Sequence, residues 1–198
     1  MNTKKNLISS ALITLVFAFL LCFIYPMIIW GFSNLIFFKN ANGSLIKKGN
    51  EIIGSKLIAQ DFTKDIYFHP RPSFSSYDGL NSGPSNLAPT SKKLLENIKD
   101  LSKKYRDENK LSINEFVPAD AVTSSASGLD PHITYKNAMY QAIRVAEARN
   151  IQIDVVKKLI EKHLEKSYFF SRSKVNVLLL NIDLDQNYSQ VLQIKSNK

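Results

Sequence analysis

The chain carries no charged side chain from Asn6 to Phe38, and a run of that length and polarity has few stable environments other than a bilayer. Leu7 to Tyr25 (LISSALITLVFAFLLCFIY), wound as a helix at about 1.5 Å per residue, would alone cross roughly 28 Å. A cleaved signal peptide has a shorter apolar stretch followed by small residues, whereas Phe, Leu, Tyr, Pro and Ile follow here. A lipoprotein anchor at Cys22 would want a small residue before the cysteine, and Leu20 and Leu21 stand there. The expectation is an uncleaved span. Pro26 should kink or end its regular helix, with Tyr25 and Trp30 at the outer headgroup level. Lys4 and Lys5 lie directly before the span, which predicts a cytoplasmic N-terminus and an extracytoplasmic C-terminal domain. The resulting division is a tail over 1–6, a span and interface over 7–38, and a domain over 39–198.

Of the 26 lysines and arginines only Lys4 and Lys5 precede the span, and all 17 acidic residues follow it. The domain is therefore mildly basic. Its basic residues are spread out and accompany no recognition motif, which argues against nucleic acid as a partner. The single cysteine lies in the span, so no internal disulfide can brace the domain. An ion path is not expected within this one span, which holds no ionisable residue of the kind that lines one, and no G-x-x-x-x-G-K-[ST] loop is present to cradle phosphates.

Local patterning places the elements. Ser44 to Ile53 (SLIKKGNEII) reads as a hairpin turning at Gly49 and Asn50. Ser73 to Thr90 is a long loop. Leu94, Leu95, Ile98, Leu101 and Tyr105 recur at helical spacing behind a cap at Thr90 or Ser91. A second helix is predicted over Thr134 to Arg149, capped by Thr134, with Ala138, Ala142, Val145 and Ala146 on a small-residue face and Asn150 as its left-handed stop. A third runs from about Ile153 to Lys166. Lys174 to Leu184 (KVNVLLLNIDL) reads as a strand buried on both faces. The fold class is α+β: one N-terminal transmembrane helix, then a small mixed sheet with about three helices.

Three polar clusters carry the candidate chemistry. In YFHPRPS (Tyr67 to Ser73) two prolines hold His69 and Arg71 in an extended segment, where they could take an anion or bond to nearby carbonyls and carboxylates. SGPSNLAPT (Ser82 to Thr90) offers Ser85 and Asn86 in what could be an anion nest or ordinary turns. VPADAVTSSASGLDPHIT (Val117 to Thr134) gathers Ser127, Asp130 and His132. Those three would serve a membrane-tethered extracytoplasmic serine hydrolase, although no G-x-S-x-G elbow exposes the serine. Asp120, Asp130, His69 and His132 match no metal-ligand spacing. The competing reading is a turn at Gly128 leading into a capped helix. Arg144 and Arg149 are expected to bond to this same loop, with Asp120 or Asp130 as partners.

Taken in order, ANGSLI, GSKLIAQDF, YFHPRPS, SGPSNLA, VPADAVTSSASGLDPHIT, QAIRVAEARN (Gln141 to Asn150) and VNVLLLN resemble the C subunit family of the potassium-transporting Kdp P-type ATPase. Two departures stand out: Gly83 and Pro84 where the family commonly has two glycines, and Asn150 where it often has glycine. The resemblance implies a bacterial inner-membrane complex with a channel-like KdpA subunit, an ATP-hydrolysing KdpB subunit and a small KdpF subunit, in contact with membrane lipid. It implies a non-catalytic accessory subunit, to which ATP contact is sometimes attributed although an extracytoplasmic domain would not meet cytoplasmic nucleotide. ATP would enter only through the B subunit, whose nucleotide affinity this subunit is said to raise. The candidate interaction or structural residues are His69, Arg71, Ser85, Asn86, Ser127, Asp130, His132, Gln141, Arg144 and Arg149.

Overall fold

The computed structural model describes residues 3–165 and 173–188. The chain divides into two compact units, Met1–Ile53 and Gly54–Lys198.

In the first unit, α1 (Thr3–Phe19), a π-helical turn (Leu20–Ile24) and α2 (Tyr25–Ile36) form one continuous helix. None of its residues is buried, and Thr3–Ile36 is long and apolar enough to cross a membrane. Pro26 neither ends the helix nor stands alone in it. A proline ring clashes with the carbonyl four residues earlier and donates no hydrogen bond. Here the wide turn lies directly before it, and Tyr25 N–H reaches back five residues to Leu20, so the ring is accommodated and the helix runs on to Ile36. Ser10, Thr14 and Asn34 each donate to the carbonyl four residues back, which satisfies polar groups where no water would. A short turn, α3 (Phe38–Ala41), leads to the hairpin of β1 (Leu45–Lys48) and β2 (Glu51–Ser55). Its two-residue connection is Gly49 and Asn50, as the sequence suggests, with Gly49 at positive φ.

In the second unit, residues 56–91 contain no helix or strand. After them come α4 (Lys92–Asn109), α5 (Ala119–Val122), β3 (His132–Thr134), α6 (Tyr135–Arg149), α7 (Ile153–Lys162), β4 (Leu164–Glu165), β5 (Lys174–Asn176) and α8 (Val177–Tyr188). The strands make an antiparallel sheet in the order β3-β5-β4, with Ile133 opposite Val175 and Leu164 opposite Val175. The α+β class is as expected.

Thr134 caps α6 by accepting from Asn137 N–H, and Asn150 closes it at φ 55°. Its face of Ala138, Ala142, Val145 and Ala146 is buried against Val156, Leu159 and Ile160 of α7, with Phe68, Ile133, Val175, Leu180 and Leu184 completing the core. Three expectations need correction. Ser91 occupies the cap position of α4 without a side-chain bond, and Leu95 points out of its buried stripe. α7 stops at Lys162, because Leu164 and Glu165 are drawn into the sheet beside Val175 and Lys174; Lys166 lies outside the described residues. Finally, only Lys174–Asn176 of the predicted last strand is a strand. Asn176 Oδ1 accepts from Leu179 N–H at 3.1 Å, a side-chain cap that turns the leucine run into α8.

Candidate functional site

A stretch of the second unit, Asp65 to Arg71, starts in a turn closed by Tyr67 N–H on the Lys64 carbonyl, runs on without regular structure, and is bonded to α6 and α8 by side chains instead of by a strand. Asn181 accepts from Phe68 N–H at 2.9 Å and donates to the Phe68 carbonyl at 2.9 Å. Gln141 does the same one residue on, accepting from His69 N–H at 2.7 Å and donating to the His69 carbonyl at 3.1 Å. Two amide side chains thus supply the pairing that two β-residues would give. Phe68, held between them, is fully buried.

Arg144 and Arg149 complete the clamp. Arg144 donates to the carbonyls of Asp65 and Tyr67, to Asn109 and to Gln141. Arg149 donates to the carbonyls of Ile66 and Leu184 and to Asp185 at 2.7 Å. The expected partners, Asp120 and Asp130, are wrong: both arginines point at the 65–67 backbone. Asp120 instead accepts from Thr134 N–H, Thr134 Oγ1 and Asn137 Nδ2 at the start of α6. Burial pulls Arg144 below the usual arginine value while Asp65 and Glu108 oppose the shift. Burial, then Asp185, raises the Tyr67 hydroxyl, which keeps it a donor to that carboxylate at 2.9 Å.

A cavity of about 170 Å³ opens beside this clamp, lined by Asp61, His69, Tyr77, Lys104, Tyr105, Glu108 and Gln141 among others. Burial, followed by the Arg144 charge, lowers the His69 pKa, so its ring favours the neutral form. Its nitrogens face the Lys64 carbonyl at 3.3 Å and Glu108 at 3.6 Å. Burial and Asp61 push Tyr77 up to about 12. A broader groove of about 500 Å³ runs between α4 and the long loop, lined by Pro72, Phe74, Ser85, Ile98, Leu101 and Val122 among others.

The remaining candidates form a second knot. Arg71 donates to Asp130 at 3.1 Å and to the carbonyls of Thr123 and Ser124, the second of the two alternatives for the proline segment. Gly128, at φ 69°, sits where a Cβ would meet Ser75 Oγ at 2.7 Å and the Gly83 carbonyl at 3.3 Å, so the turn is drawn tight against the long loop. Ser82 and Gly83, and not Ser85 or Asn86, bond to the Ser127 carbonyl. Ser85 accepts from Leu87 N–H within its own turn, and Asn86 has φ 53°.

Ser127, Asp130 and His132 are near one another in sequence but are not arranged as a triad. Both ring nitrogens of His132 face carboxylates, Asp130 at 3.2 Å and Glu165 at 3.3 Å. Ser127 Oγ accepts from Leu129 N–H and neighbours Ser125. A nucleophile needs a base at its oxygen, and that base is turned elsewhere. The hydrolase reading is not favoured.

Burial works against ionisation of Asp130, but hydrogen bonds from the His132 side chain and backbone, with the charges of His132 and Arg71, outweigh it and hold the carboxyl at about 2. The folded state therefore binds this proton less readily than the unfolded chain, whose value is 3.8. The resulting stabilisation is fully present above that value and is lost as pH falls from there through the folded value. Discounted for partial exposure it amounts to about 1–2 kcal/mol. Urea midpoints of the chain and of Asp130→Asn should differ at neutral pH and converge near pH ~2. A gap that persists undiminished in acid would remove the carboxylate from this role.

The residues that the sequence did not bring forward are Tyr105, Asn109, Asn137, Asn181 and Asp185. For Tyr105, Asn109, Asn137 and Asn181 the signal is a polar group at a core-facing position, masked for Asn181 by the strand reading of Lys174 to Leu184, and half-exposed Asp185 carries no such signal. Among the described residues no buried side-chain nitrogen or oxygen lacks a hydrogen-bond partner.

The family model described as "KdpC: K+-transporting ATPase, c chain" matches residues 7–186. The chain is 44% identical over 187 residues to the potassium-transporting ATPase KdpC subunit of Mycobacterium bovis (strain BCG / Pasteur 1173P2), covering 92% of this chain and 99% of that one. It is 43% identical to the KdpC subunit of Koribacter versatilis over 187 residues, 92% of this chain and 95% of that one. With the subunit of Myxococcus xanthus it shares 42% identity over 192 residues, 94% and 89% of the two chains. Match and identity run through the apolar helix and the clamped domain alike, and the chain belongs to the KdpC family of K+-transporting ATPase c chains.

Proposed function

We propose that this chain is a non-catalytic accessory subunit of an ATP-driven potassium uptake complex, which it assembles and stabilises beside a channel-like KdpA, an ATP-hydrolysing KdpB and a small KdpF. The observation that carries this reading is how the candidate polar residues are used. His69, Gln141, Arg144 and Arg149 are engaged with backbone and with one another, and Arg71, Asp130 and His132 likewise. Such a domain is suited to holding a shape against partners. The candidate span Thr3–Ile36 tethers it, with Lys4 and Lys5 keeping the N-terminus cytoplasmic and the domain outside the inner membrane. Any influence on ATP affinity then reaches KdpB as a coupling through the membrane, not by contact with nucleotide.

A single-cysteine form, Lys103→Cys in a Cys22→Ser background, tests both halves. Lys103 is exposed on α4. In cells with a permeabilised outer layer it should react with a membrane-impermeant maleimide, and the tagged protein should carry the other Kdp subunits through purification. Labelling only after inner-membrane lysis would reverse the orientation. Recovery of the chain alone, with potassium uptake intact in its absence, would remove the assembly role.

A further inference from the structure

We propose that the hairpin following the apolar helix is a membrane-surface element that binds acidic phospholipid headgroups, with Lys39, Lys47 and Lys48 as its cationic contacts and Leu45 and Ile52 as its apolar ones. The assignment rests on reading Thr3–Ile36 as a span. That helix has 34 residues, which at about 1.5 Å each gives roughly 50 Å. A bilayer with its headgroup layers is about 40–45 Å thick. Tilted by about 30°, within the usual range, the helix matches that thickness, so its Lys4 and Lys5 end and its Ile36 end both fall at headgroup level, and the hairpin begins there.

It does not begin on a loose tether. Phe37 N–H bonds to Ser33, Ala41 to Phe37, Asn42 to Phe38, Gly43 to Asn40 and Ser44 to Lys39. Asn42 Nδ2 also donates to Asn34 Oδ1 at 3.2 Å, within the helix itself. Phe37 and the run from Ala41 to Ser44 are each bonded back to residues 33–40, so β1 and β2 are held at the depth where the helix ends.

The surface held there is amphipathic. Phe37, Phe38, Leu45 and Ile52 are exposed large hydrophobics, and Lys39, Lys47 and Lys48 are exposed beside them. The first acidic residue in the chain is Glu51, so positive charge dominates this stretch. Apolar side chains set among lysines suit the boundary between acyl chains and anionic headgroups, where lysine stems lie along apolar matter and their ammonium groups reach phosphate. Among the described residues no carboxylate pairs with these three lysines. Charge complementarity and continuity with the span together favour an acidic lipid over a protein neighbour.

The test uses the full chain carrying Ile52→Cys in a Cys22→Ser background, labelled with an environment-sensitive fluorophore and reconstituted into vesicles. With phosphatidylglycerol present the label should shift to the blue and be quenched by nitroxide lipids. In phosphatidylcholine alone it should stay water-like, and ~1 M salt should reverse the shift. Lys47→Gln with Lys48→Gln should weaken the lipid-contacting state about twenty-five-fold, about fivefold per lysine. Shielding indifferent to lipid charge and salt would assign the face to a protein neighbour and overturn the proposal. A water-like label on a chain that resists alkaline extraction would sink the proposal alone. A chain extracted by alkali would defeat the span, and this inference with it.

Discussion

Replacing Arg149 with alanine is expected to lower stability by about 3–5 kcal/mol, because it takes the donor from two backbone carbonyls at about 1–3 kcal/mol for each orphaned group and removes the buried packing of the side chain. The side chain is fully buried, and its guanidinium bonds in three directions: to the Ile66 carbonyl at 2.6 Å, to the Leu184 carbonyl at 3.3 Å and to Asp185 at 2.7 Å. It also lies over the Tyr67 ring, 5.1 Å from its centre. Alanine takes the arginine donor from two carbonyls, leaves Asp185 only the Tyr67 hydroxyl, and opens a cavity. Thermal melting of the full chain in detergent should drop by about 10 °C. Two further variants separate the causes. Lysine keeps the charge but cannot reach three acceptors at fixed angles, so Arg149→Lys should recover less than half the loss. Asp185 is 44% exposed, so Asp185→Asn should cost about 1 kcal/mol or less. If Asp185→Asn were as damaging as Arg149→Ala, the ion pair and not the backbone contacts would dominate. An unchanged melt with Arg149→Ala, together with loss of the partner subunits on purification, would move the residue to an interface.

Asn181→Leu is expected to follow at about 2–4 kcal/mol. Leucine conserves volume but leaves the buried N–H and carbonyl of Phe68 without partners, at about 1–3 kcal/mol for each orphaned group. Exchange of the Phe68 amide proton should accelerate with the loss, because Asn181 is its acceptor. Gln141→Leu should act on His69 in the same way. Both amides hold one short segment, so the double variant should lose less than the sum of the singles. Simple additivity in the cycle, or a protected Phe68 amide in Asn181→Leu, would show that the segment is held by something else.

Reading the chain without its fold recovered what is decided locally. Thr134 and Asn150 bracket α6 because a hydroxyl can reach Asn137 N–H and asparagine tolerates a left-handed backbone. Gly49 and Asn50 mark the hairpin for a similar reason. The uncharged run to Phe38 stands out through composition alone. The final segment failed because VLLLNIDL is apolar enough for a buried strand and too short for periodicity to arbitrate. Asn176 settles the matter as a cap, and its role depends on where β5 ends. The arginines failed differently. Their need for acceptors was legible, but their partners are carbonyls of residues 65–67, and nothing in a carbonyl's sequence context sets it apart. The order of segments in YFHPRPS, VTSSASGLDPHIT and QAIRVAEAR identified the family without disclosing that the first and last of these grip each other.

That grip has a consequence in time. Phe68 must wait for Asn181, a partner 113 residues further along the chain, and at synthesis rates of about 5–20 residues per second the delay is roughly 6 to 20 seconds. Throughout it the buried N–H and carbonyl of Phe68 lack their native side-chain partner. The Asp65–Arg71 stretch can settle only after α6 has formed and α8 has emerged, which makes the last helix of the domain the event that closes one of its earliest segments.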